Sequence, residues 1–247
     1  SDASAPKELT AYKAWLIGIA SHKCSDYYRR KQKPVALPKP PERDAAASAV
    51  HAALAELERG REVLFSGTPC QVAAMKKRAG KFGERLVTVD IVCHGAPRAD
   101  VFTSYIAELE RRQGAKVSGC EFRNKRGGWN FPKMAIDFAD GRRRISVADP
   151  YFAAFVRNYS LREGCFACPF VGVERAADYT MGDCWRIASS HPEWDDDAGT
   201  SLVLANTPRA LAFVKRAIAG GRLKGGEYDL DLAQLRNLPL QQRAALP

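Results

Sequence analysis

The sequence predicts an α/β fold, a parallel βαβ core extended by antiparallel strands, with a Cys-rich loop. Three observations predict it. Between residues 44 and 113, short apolar runs alternate with amphipathic helical patterns over short connections, the pattern of a parallel sheet with covering helices. After Gly114 the period switches to two, in runs joined at Asp140-Gly141, a hairpin signal. A stretch rich in Cys, Gly and Pro then occupies residues 161–178.

Residues 1–43 read as a poorly patterned, basic and Pro-rich N-terminal arm, and 44–247 as the folded domain. In the arm, "LTAYKAWLIGIASH" predicts one short helix and "KQKPVALPKPPER" an extended linker. From Asp44, an N-cap residue, "DAAASAVHAALAELERG" predicts a helix with Gly60 as its stop. The strand "EVLFS" follows, then a helix over 69–79 with Pro69 at its first position. The strand "RLVTVDIVC" and the helix "RADVFTSYIAELERRQG" complete the unit, with Gly80 and Gly114 placed as helix stops. "AKVSGCEFR" and "KMAIDFADGRRRISV" predict antiparallel strands, and "DPYFAAFVRNYSL" a helix. Beyond the Cys-rich loop, "YTMGD" and "TSLVLANT" read as buried strands and "PRALAFVKRAIAGG" as an amphipathic helix. The tail after 225 reads as a small helix plus coil.

The 247 residues suffice for one sizeable core. No apolar run approaches the roughly 20 residues that span a bilayer, and the opening stretch has no signal-peptide pattern. The expectation is a cytoplasmic protein with no membrane insertion. A net charge of +10 suits an anionic partner. The basic residues are scattered and no nucleic-acid motif accompanies them, so no nucleic acid is expected as a partner.

Seven cysteines point to metal or redox chemistry rather than a disulfide framework. Cys70 sits at the mouth of the 69–79 helix, where the dipole favours a thiolate. Cys93 ends the next predicted strand. Consecutive strands of such a unit are neighbours and parallel, so both thiols fall at the sheet edge where open α/β folds bind ligands. Cys165 and Cys168 form a C-x2-C pair in "LREGCFACPF", a spacing that lets two thiolates grip one centre. Four such sulfurs suit tetrahedral zinc or a cubane iron–sulfur cluster, and the spacing alone does not choose. Cys120, inside an alternating strand, reads as a small hydrophobe, and Cys24 as incidental.

Several blocks, in order over about residues 60–210, carry a resemblance. They are "VLFSGTPCQVAAMK", "VDIVCHGAPRADVF", "EFRNKRGGWNF", "LREGCFACPF", "DYTMGDCW" and "DDDAGTSLVLANT". The sequence resembles the C-terminal domain of the coenzyme F420 hydrogenase/dehydrogenase beta subunit family, whose members are flavin and iron–sulfur proteins. The resemblance implies an oxidoreductase or electron-transfer subunit passing electrons between a [4Fe-4S] cluster, FAD and an F420-like or other organic substrate. It implies a redox partner protein or partner subunit and a small-molecule substrate. It also implies Cys70, Cys93, Cys165 and Cys168 as cluster ligands, and so favours the cluster over zinc.

By the same resemblance, other residues inherit roles: Thr68 and the amides near Gly67 can cradle a phosphate or the cluster sulfurs. His94 can relay a proton, as the candidate catalytic residue, or simply pack. Arg123 and Lys125 can neutralise a flavin pyrophosphate or simply form a solvated face, and Trp129 can stack on the flavin ring system or simply be core. Asp183 can orient a ligand or cap a helix. Cys184 is expected to pack near the site without binding metal. The family's N-terminal Ser-Gly-Gly motif has no counterpart in residues 1–59, and Cys184 and Arg186 stand where the family places Phe and Gly. A metal-stabilised docking module without its own catalysis is the alternative.

Overall fold

A computed structural model of the chain describes residues 14–18, 45–124, 133–185, 187–195 and 199–228. Two sheets organise them. The larger has six strands and the smaller three.

Strand β1 spans Ala14–Gly18 and helix α1 Ala45–Glu58. Then β2 (Val63–Gly67), α2 (Pro69–Ala79) and β3 (Leu86–Ile91) form the predicted βαβ unit, with β2 and β3 parallel and paired from Val63↔Leu86 to Gly67↔Asp90. Helix α3 (Ala99–Gln113) leads to the second sheet, β4 (Val117–Asn124), β5 (Lys133–Phe138) and β6 (Arg143–Ser146), which is antiparallel throughout. Short helices α4 (Pro150–Val156) and α5 (Glu163–Phe166) return the chain to β7 (Tyr179–Asp183), which adds parallel to β3. After α6 (Ile187–Ser190) come β8 (Ser201–Ala205), α7 (Pro208–Ala219) and β9 (Lys224–Tyr228). The large sheet runs β2-β3-β7-β8-β1-β9, and every pairing from β7 onward is antiparallel.

Alternation of side chains along the strands sets which face each helix covers. On one face, Val50, Ala53, Leu54 and Leu57 of α1 pack with Met75 and Ala79 of α2 against Val63, Phe65 and Leu86. The opposite face takes α7, whose Val214, Leu211 and Ile218 cover Tyr179, Met181, Val203 and Ala205. The small sheet has its own core. Phe102, Tyr105, Ile106 and Leu109 of α3 bury Val117, Cys120, Met134, Ile136 and Phe138. Glycines stop the helices where the sequence placed them, at Gly60, Gly80 and Gly114, each with φ between 47° and 83°.

Four expectations change. The segment read as an N-terminal helix contains β1, because its apolar run lies between β8 and β9 and finds backbone partners on both sides. The tail read as helix plus coil begins with β9, a strand at the end of the sheet order that takes its backbone partners from β1. The strand expected to end at Cys93 ends at Ile91, and the helix expected over 149–161 stops at Val156, just before Asn158 adopts a φ of 71°.

Candidate metal centre

The mouth of α2 is built by three residues. Thr68 is the N-cap and Pro69 the first helical residue. Gln71 reaches back and its Oε1 accepts the Thr68 N–H at 2.9 Å. A Cβ at Gly67 would stand 2.9 Å from that same oxygen, so the glycine keeps the reach-back possible. Thr68 Oγ1 hydrogen-bonds Cys70 Sγ at 3.1 Å, and Cys70 itself is exposed.

Cys93 lies two residues beyond β3. Val92 N donates to Met181 O at 2.8 Å, which holds the exit against β7. A Cβ on Gly182 would stand 2.6 Å from Val92 Cγ2, so the neighbouring strand must be bare at that point. Burial pushes the Cys93 thiol up, and the thiols of Cys70, Cys165 and Cys168 push it further, while a hydrogen bond from the Gly95 amide opposes them. Among the described residues no group of three or more His, Cys, Asp or Glu stands close enough to hold a metal ion as it is.

The loop bearing Cys165 and Cys168 is stitched to the segment after Cys93. Arg98 N donates to Ser160 O at 2.7 Å and Arg162 N to Ala96 O at 2.9 Å, around a Pro97–Leu161 bridge. Gly95, with φ 139°, is the close approach that permits this, since a Cβ there would stand 2.9 Å from Leu161. The stitching delivers Ala96 N to Cys165 Sγ, a 3.3 Å N–H···S hydrogen bond, and Cys168 N donates to Cys165 O at 3.4 Å.

Beneath the cysteines lies a polar layer that the sequence reading missed. Asp90 and Arg175 form an ion pair at 3.0 Å with side chains 0 % and 2 % exposed. Burial raises the Asp90 carboxyl above the usual range, and Thr180 and Arg175 pull the other way. Arg175 also donates to Ile91 O at 2.9 Å and to Phe170 O at 2.8 Å. Nearby, Asp178 Oδ2 accepts from Thr88 N and Thr88 Oγ1 at 2.8 and 2.7 Å. Lys76, on the helix that carries Cys70, donates to Ala176 O at 2.7 Å. The available signal was Asp90 itself, a carboxylate in the apolar run "VTVDIV", which requires a partner when buried.

The other residues singled out in the sequence fall as follows. Arg123 of β4 reaches Asp183 at the end of β7, an ion pair of 2.8 Å, and lies over the Trp185 ring. The two sheets meet through that pair. His94 Nε2 is 3.1 Å from Phe155 O and its ring packs on Phe155. Cys184 is buried, 2 % exposed, its thiol pushed up to about 11 by burial. Cys120 is buried in the small sheet's core, also pushed up to about 11. Lys125, Trp129 and Cys24 lie outside the described residues. No helix among the described residues is long and apolar enough to cross a membrane.

Residues 60–230 match the family model that describes the C terminus of the coenzyme F420 hydrogenase/dehydrogenase beta chain. No curated protein matches the chain. Among solved structures, it is similar to a chain of the xenon-derivatised F420-reducing [NiFe] hydrogenase complex from Methanosarcina barkeri, at 19% identity and a TM-score of 0.46. That similarity covers 76% of this chain, which spans 61% of the hydrogenase chain.

Proposed function

We propose, from the premise that this chain belongs to the coenzyme F420 hydrogenase/dehydrogenase beta subunit family, that it is an iron–sulfur electron-transfer subunit of an oxidoreductase. Cys70, Cys93, Cys165 and Cys168 would hold a [4Fe-4S] cluster. FAD and an F420-like or other organic substrate would complete the path, with a partner subunit as electron donor or acceptor. The observation that carries this reading is the stitching of the Cys165–Cys168 loop to the segment after Cys93, which brings the Ala96 amide to Cys165 Sγ at 3.3 Å.

The donor set fits. All four groups are thiols, and sulfur ligands are what iron–sulfur clusters take. When bound, the cluster supplies one-electron storage and the flavin exchanges hydrides for single electrons. The protein's own part is to tune and place. The Ala96 amide directs a hydrogen bond at Cys165, and the Thr68 hydroxyl, hydrogen-bonded to Cys70, would donate to it as a thiolate ligand; such bonds favour the electron-rich state. For a flavin pyrophosphate, Arg123 offers a guanidinium whose direction is fixed by Asp183 and Trp185. Lys125 and Trp129 would supply a second charge and a flat wall. Proton relay falls to His94, held by the Phe155 carbonyl.

Anaerobic reconstitution with ferrous iron and sulfide tests the cluster. A brown protein with a broad visible charge-transfer band and an EPR signal on reduction is expected. A colourless product that binds no iron, or that binds zinc alone, refutes the reading. Titration of the reconstituted protein with FAD, followed by flavin fluorescence, tests the second cofactor, with Arg123→Ala expected to weaken binding.

A further inference from the structure

Arg175 is an unusual residue for a loop. Its side chain is 2 % exposed, and it joins two segments that arrive from different parts of the chain. Toward β3 it pairs with Asp90 and donates to Ile91 O, two residues before Cys93. Toward the Cys-rich loop it donates through Nη1 to Phe170 O at 2.8 Å and Gly172 O at 3.4 Å, just after Cys168. A single rigid guanidinium therefore spans the approach to Cys93 and the exit from Cys165–Cys168.

We propose that Arg175 is a positioning residue that fixes the distance between Cys93 and the Cys165–Cys168 loop. Asp90 anchors it to the sheet. The inference rests on the reading of these cysteines as the ligands of one cluster. The planar fork is central to the geometry. Guanidinium N–H groups point in fixed directions and serve a carboxylate and several carbonyls at once, whereas an ammonium is a point donor on a flexible stem. A lysine at this position would keep the charge beside Asp90 and lose the span. Gly172, with φ 104°, presents its carbonyl to Arg175 from a backbone conformation that a side chain disfavours, which gives a way to disturb the loop end without touching the buried pair.

The test compares wild type with Arg175→Lys, Gly172→Ala and a distant control, Arg209→Lys, whose guanidinium contacts Glu84 O. On the apoprotein, a short bismaleimide is used to bridge Cys93 and Cys168, and the bridged peptide is quantified by mass spectrometry. On the reconstituted protein, the rate of iron loss to a chelator and the EPR line shape of the reduced state are recorded. Arg175→Lys should lower the bridging yield severalfold and speed iron loss by about tenfold, with an altered line shape. Gly172→Ala should move both in the same direction by less, and Arg209→Lys should match wild type. If Arg175→Lys does not fold, Gly172→Ala carries the decision. Bridging and iron retention equal to wild type in the folded variants overturn the clamp and leave the cluster reading standing. A wild type that takes up no iron overturns the cluster reading, and the clamp with it.

Discussion

Cys120 and Cys93 show how differently two sheets of one molecule use the same residue. Cys120 lies in the three-stranded sheet among Ile106, Leu109, Met134 and Tyr151, with no other thiol in that core among the described residues. Burial raises its thiol to about 11 and makes it a small hydrophobe. Cys93 lies past the end of a parallel strand, and burial raises its thiol too, but three further thiols add to the shift. The small sheet's core is aromatic and aliphatic, with buried Asn124 and Asp149 at its margins, each hydrogen-bonded to a neighbour. Beside the cysteines, the large sheet places Thr88, Asp90 and Thr180, all fully buried. One core is held together almost wholly by apolar packing, while the large sheet also buries a carboxylate and two threonines on β3 and β7, with Asp90 and Thr180 side by side across the two strands.

The contrast is broken most severely at a proposed ligand. Cys93→Ser in the reconstituted protein should lower metal retention by about tenfold to a hundredfold, while Cys120→Ser keeps wild-type iron, as measured by iron per chain. Equal losses in both would erase the distinction. Next in size is the small core. Met134, 1 % exposed, belongs to that cluster, so Met134→Ala should destabilise the fold by about 2–5 kcal/mol in denaturant unfolding without changing which thiols react first.

A pH series sharpens the comparison for the inert thiols. Cys120 and Cys184 ionise at about 11 in the folded protein, against 9.0 for an ordinary thiol. The unfolded chain therefore loses these protons first. The stability they contribute is complete below pH 9 and declines as pH rises toward 11, by on the order of 2–3 kcal/mol for each. Thermal melts from pH 8 to 11 should show the decline, and Cys184→Ala should flatten part of it. A melt that does not move over that range contradicts the assignment. The smallest effect is steric. Gly182→Ala forces a methyl against Val92 and should cost about 1–3 kcal/mol, with Cys93 becoming more reactive toward iodoacetamide as its segment shifts.

Much of the fold was legible because its signals were local. Thr68-Pro69 and Gly80 bracket α2, Gly114 stops α3, and Asp140-Gly141 turns β5 into β6, each by a backbone preference written into one or two residues. β1 and β9 were not legible, since each is a five-residue segment whose conformation is decided by strands elsewhere in the chain. In the candidate site, the cysteines and, separately, Arg123 and Asp183 came from motifs that stand out in the sequence, while the ion pair that joins those two did not. Arg175 did not, because a lone arginine in a polar loop reads as solvated until the burial of Asp90 supplies its partner.

The position of β1 has a consequence for how the molecule assembles. Leu16 pairs with Leu202 on one side and Gly226 on the other, so β9 reaches the rest of its sheet only through a strand synthesised well before it. The earliest described strand has no sheet to join until β8 has emerged from the ribosome, and β9 has none until β1 has docked. Contacts of such long sequence separation close late and slowly. The βαβ unit and the three-stranded sheet are encoded by neighbouring segments and are able to form while β1 is still waiting. That order makes the cysteine-bearing end of the molecule an early product of folding and the β1–β9 ribbon its final step.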